Sequence, residues 1–195
     1  QLDHEIEKYD GSAIGGRLLA WVRIPTLFEN NQDTIIYMYH GNAYINSSTA
    51  NPTGVWDSNF KGVWHLGEAS NTTRRDSTTN NNDLSDTTAV AKGTGKTGDA
   101  ANFVPTDYLT ISDVTQTGLD LSTQFTLEAW VNATSGATEQ SIISKRDAIP
   151  QHSYDLLLNS APRAILRISL DGTNDINLNS PTVLSTGTWY HVAAT

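Results

Sequence analysis

The sequence predicts an all-β protein, an antiparallel β-sandwich preceded by a further β-rich segment. Three observations point there. Short strand-like runs recur along the chain, each bounded by Gly, Pro, Asn or Asp. Helical periodicity is nearly absent. Ser, Thr and Asn supply roughly 30% of the residues, Thr favouring strands and Asn and Ser favouring turns.

The runs come in order. Arg17 to Ile24 (RLLAWVRI) is β-rich and stops at Pro25. Thr34 to Tyr39 (TIIYMY) ends at Gly41-Asn42, and Gly62 to Leu66 (GVWHL) follows. Phe103-Val104 and Tyr108 to Ile111 are split by Pro105. Phe125 to Val131 (FTLEAWV) alternates, placing Phe125, Leu127 and Ala129 on one face. Ser141 to Lys145, Tyr154 to Leu158, Ala164 to Leu170 and Trp189 to Ala194 complete the set, with a tight turn expected at Asp171-Gly172. Between these runs, Asn71 to Thr88 is almost wholly polar and is expected to form a surface loop, and Lys92 to Gly98 to form a flexible Gly-rich piece.

Composition narrows the function. A hydrophobic content of 37% over 195 residues is enough for a real core. The formal net charge of −9 disfavours nucleic acid, whose phosphates it repels. No segment has the apolar length that would insert in a bilayer. With no cysteine, disulfides and thiolate metal sites are excluded. Both ends look cut, as if from a longer chain.

From Trp64 onward the sequence resembles the laminin-G-like, concanavalin A-like jelly-roll family of prokaryotic surface proteins. The carriers are Val63-Trp64-His65-Leu66-Gly67-Glu68, the loop Asp76 to Asp83, Gly98 to Phe103, Asp107 to Ile111, Phe125 to Val131, Ile142 to Lys145 and Trp189 to Ala193, in the family's order. Residues 1–62 resemble an uncharacterised β-rich domain that precedes such modules, carried by Glu5 to Asp10, Leu19 to Pro25, Tyr37 to Asn42 and Val55 to Asp57. The expected domains are therefore 1–62 and 63–195, both partial.

The resemblance implies an extracellular or cell-surface location and a calcium ion (Ca2+) in the loop after the opening strand. Asp76, Asn82 and Glu68 are its expected ligands, oxygen donors of the kind calcium prefers. A glycan or cell-surface ligand needs aromatic faces. Tyr108 and Tyr154, near loops, are the expected contacts, while Trp130 and Trp189 are expected in the core. Asn46, Asn71 and Asn132 head glycosylation sequons. Asp3, Glu5 and Glu7 share a strand face, expected to be an exposed charged face rather than a catalytic pair. Of His4, His40, His65, His152 and His191, none forms a close metal-ligand pair, and His65 and His191 are expected to be structural. No catalytic residues are expected. The leading expectation is a non-catalytic adhesion or carbohydrate-binding module of an exported protein. The alternatives are a filament or coat subunit that assembles through exposed strand edges, and a glycoside hydrolase of concanavalin A-like fold.

Overall fold

The computed structural model describes residues 1–12, 15–29, 32–146 and 152–195, with the side chain of His152 outside that description. Two compact units make up the chain, Gln1–Gly118 and Leu119–Thr195, and the expected boundary at 62/63 falls inside the first. Among the described residues nearly all regular structure is strand, as expected: twelve strands and one single-turn helix, α1 (Pro52–Val55).

In the first unit β1 (His4–Asp10) and β2 (Arg17–Val22) form an antiparallel hairpin whose register shifts between Ile6 and Lys8, leaving Glu7 outside the ladder as a bulge. Two further pairs are β3 (Ser85–Asp86) with β6 (Leu109–Thr110) and β4 (Ala91–Thr94) with β5 (Asp99–Asn102). The β4–β5 hairpin occupies the piece expected to be flexible. Its turn closes through Gly95 N–H to Gly98 O (3.1 Å), and a side chain at Gly95 would meet the Asp99 carbonyl at 2.6 Å.

The polar tract Asn71 to Thr88 is the largest departure from expectation. It is a surface loop only in part, with exposed residues such as Asn71 and Arg75 alternating with buried ones. Arg74, Thr78 and Asn82 are essentially inaccessible, and Asp76 and Ser77 are buried beside them. Polar groups tolerate burial when each finds a partner, and here they partner one another. Arg74 Nη2 pairs with Asp86 Oδ2 (2.9 Å) and donates to Val90 O (2.7 Å), while its Nη1 donates to Glu68 O. Burial opposes the charge of Asp86, but backbone donors from Val90 and Asn71 and the Arg74 guanidinium outweigh it and hold its carboxyl low.

Thr34 to Tyr39 also departs from expectation. It forms no ladder, and the side chains from Ile35 to Tyr39 are exposed, Tyr39 at 92%. Propensity alone does not make a strand, because the ladder needs a partner. Gly62 to Leu66 is reduced to one bridge, Trp64 to Asp76, and Leu66 turns the chain with φ of 58°.

The second unit is a two-layer sandwich. One sheet has the order β11-β10-β9-β8, built from β8 (Gln140–Arg146), β9 (His152–Leu158), β10 (Ala164–Ser169) and β11 (Asp175–Asn179). The other pairs β7 (Leu127–Val131) with β12 (Tyr190–Ala194). Leu127 and Val192 from the pair meet Leu156, Leu158 and Leu166 from the larger sheet in one core. Each such side chain contributes about 1.5–3 kcal/mol by leaving water. The β10–β11 turn lies where Asp171-Gly172 predicts it. Gly172 adopts φ of 80°, and the Asp171 carboxylate accepts the Thr173 and Asn174 N–H groups.

Candidate functional site

Strand parity builds the exposed face of the β7–β12 pair. In Leu127–Val131 the first, third and fifth side chains turn inward, so Glu128 and Trp130 turn outward. In Tyr190–Ala194 the buried Val192 fixes His191 and Ala193 on the outer side. The register sets Trp130 opposite His191 and Glu128 opposite Ala193. The Trp130 and His191 rings are 5.3 Å apart and tilted by 54°. His191 Nε2 lies 3.8 Å from Glu128 Oε2. Trp130 is 46% exposed, which corrects its expected place in the core. An aromatic wall with a carboxylate and an imidazole beside it, over a small alanine, offers stacking and hydrogen bonding on one surface.

A second cluster lies in the first unit. Glu5 and Glu7 do not form an exposed charged face. Their side chains turn into a cleft of about 230 Å³ that His65, Glu68, Arg75 and Asp99 also line. Glu5 accepts from Ser77 Oγ (2.5 Å) and Trp56 Nε1 (2.9 Å), and Glu7 from Trp21 Nε1 (2.7 Å). His65 sits between them, Nε2 3.1 Å from Glu5 and Nδ1 3.5 Å from Glu7. The Nε2 contact is an ion-pair distance without hydrogen-bond alignment. Burial raises the Glu5 carboxyl, but His65, Ser77 and Trp56 more than reverse this and hold it low. Burial likewise disfavours protonated His65, yet Glu5, Glu7 and Glu68 push its pKa up.

The expected calcium ligands occupy a hydrogen-bonded knot. Asp76 Oδ1 accepts from Val63 N and Thr78 N, both at 3.0 Å. Its Oδ2 accepts from Thr78 Oγ1 (2.9 Å) and Asn82 N (2.8 Å). Asn82 Oδ1 accepts from Thr117 N (2.7 Å), and its Nδ2 donates to Lys61 O and Thr117 O. Glu68 Oε1 accepts from Arg75 N (2.8 Å), and its buried Oε2 has no hydrogen-bond partner. A carboxylate offers about four lone-pair sites, and those of Asp76 are filled by donors whose positive ends point at it. Calcium does not fit Asp76 and Asn82 in this arrangement. Among the described residues no group of three or more His, Asp or Glu is placed to hold a metal ion.

The expected contact tyrosines separate. Tyr108 is 54% exposed, its backbone tied to Thr88. Tyr154 is a core residue at 5% exposure, packed on Phe125 with its hydroxyl donating to Leu119 O, so it presents no face to a ligand. Burial raises its phenol pKa. Of the sequon asparagines, Asn46 and Asn71 are exposed and Asn132 is half-buried, its Oδ1 inaccessible. Parity along FTLEAWV, counted from its inward Leu127, was the signal that Trp130 faces out.

No curated protein and no solved structure matches the chain. Residues 102–195 match a family model, that of the laminin-G type described as the concanavalin A-like lectin/glucanases superfamily. The match supports a laminin-G-like jelly-roll module over that part of the chain, in agreement with its sandwich of strands.

Proposed function

We propose that this chain is a non-catalytic extracellular binding module that takes a glycan on the outer face of the β7–β12 pair. The observation that carries the reading is Trp130, a large indole held outward on a rigid ladder beside His191 and Glu128. An exposed indole stacks on the C–H face of a sugar ring, and the neighbouring polar groups orient its hydroxyls. The match to a superfamily of lectins and glucanases supports the substrate class. Binding rather than hydrolysis is favoured at this face because the side chain beside Glu128 is the His191 imidazole, not a second carboxylate, whereas glycosidases work with two.

The test is affinity electrophoresis in gels of cellulose, xylan, β-glucan and chitin derivatives, paired with a reducing-sugar assay. Retardation by at least one polysaccharide, reduced about tenfold in affinity by Trp130→Ala and without release of reducing ends, is the expected result. Hydrolysis, or binding indifferent to Trp130, would overturn it.

One observation favours a second reading, assembly through a strand edge. Ile176 and Leu178 on the outer strand β11 pair with Ile168 and Leu166, so they share the core-facing side of the sheet, yet both stay exposed.

A further inference from the structure

The hydrogen-bond inventory of histidine limits what can sit between two carboxylates. A neutral imidazole has one N–H donor and one lone-pair acceptor. His65 turns Nε2 toward Glu5 Oε2 and Nδ1 toward Glu7 Oε2, at 3.1 and 3.5 Å. The Nε2 contact lacks hydrogen-bond alignment, so charge rather than N–H donation is what joins the three groups, and only the positively charged imidazolium attracts both carboxylates. Both glutamates and the histidine have little exposed side chain, so solvent screens these contacts weakly.

We propose that protonated His65 is a clasp that fastens the β1–β2 hairpin to the chain following Gly62, and that its deprotonation on raising the pH loosens that hairpin. The contacts already described show what the clasp joins. Glu5 and Glu7 come from β1. Trp21 of β2 donates to Glu7 and stacks on His65 at 5.7 Å, and Trp56 donates to Glu5. The other charged groups around the cleft are Glu68, Arg75 and Asp99. Arg75 is committed to Asp83 (2.7 Å) and Asp99 to Lys8 (2.5 Å). Loss of the His65 proton therefore leaves Glu5, Glu7 and Glu68 without their shared counter-charge. Leu66, held at φ of 58° immediately after His65, fixes the ring's place in the turn.

The direction follows from linkage. A histidine whose folded pKa lies above its unfolded value stabilises the fold fully below about pH 6.5 and loses that contribution as pH rises through the folded value. Glu5, held low, contributes above about pH 4.5 and loses its contribution on acidification. The clasp is thus strongest between these limits and opens on the alkaline side. This inference does not depend on what the β7–β12 face binds.

The experiment is an NMR titration of the His65 ring in the full chain, with thermal unfolding of the wild type and His65→Gln from about pH 5.5 to about pH 8.5. The expected midpoint lies above 6.5 and falls in Glu7→Gln. The wild-type Tm drops by about 3 °C or more across that range, and His65→Gln loses the drop. Comparison with that variant removes the contributions of the other four histidines. A midpoint at or below 6.5, or the same slope in both proteins, would overturn the clasp. If His65→Gln does not fold, the titration decides alone.

Discussion

Asn82 shows how a single polar side chain organises the first unit. Its amide satisfies the Lys61 and Thr117 carbonyls and the Thr117 N–H, three backbone groups that truncation would leave without their partner. Unsatisfied buried groups cost more than an average hydrogen bond contributes. Asn82→Ala should therefore destabilise this unit by on the order of 3 kcal/mol, measured by denaturant unfolding. A change below about 0.5 kcal/mol, the range of surface substitutions, would show that the knot is not structural. Residue positions on strands were legible where period two applies. The inward Leu127 makes Trp130 outward, although size alone argues for the core. Tyr154 was not legible as core in the same way, because β9 carries buried side chains on both faces, Asp155 and Leu157 alongside Tyr154 and Leu156. The polar tract misleads for a different reason. Burial follows hydrogen-bond satisfaction as well as apolarity, and satisfaction is invisible until Asp76, Asn82 and Thr117 are brought together.

At the scale of elements, an unpaired ladder edge is the consequential feature of the second unit. Among the described residues β11 pairs with β10 alone and carries exposed Ile176 and Leu178, features of an edge that can add another strand. Edge assembly predicts concentration-dependent oligomers in light scattering that Ile176→Lys abolishes. A monomer at every concentration excludes it. Most elements of this unit were legible because alternation and flanking turn residues agree, as in Phe125 to Val131 and at Asp171-Gly172. A ladder as short as β3, two residues, leaves no periodic trace, whereas its partner β6 falls within the expected run Tyr108 to Ile111. Thr34 to Tyr39 has strand chemistry without a strand, since pairing is a property of two segments and propensity of one.

For the whole molecule, the acidic balance of −9 invites a cation, but the Asp76 carboxylate, the central expected ligand, is occupied by protein donors. A ligand that binds only the native state raises its stability. Calcium in excess, or a chelator, should accordingly leave Tm within about 1 °C. A chelator-induced fall of many degrees would place a bound ion in the fold. The fold class and the concanavalin A-like character of residues 102–195 were readable from ordered motifs, whereas the ligand face required the register of β7 on β12. That face carries the central claim, and isothermal titration with an oligosaccharide of the polysaccharide that most retards the protein tests it most directly. Saturable binding in the wild type, weakened about tenfold or more in Trp130→Ala with Tm unchanged, is the expected result. Equal affinity in the two proteins would contradict it.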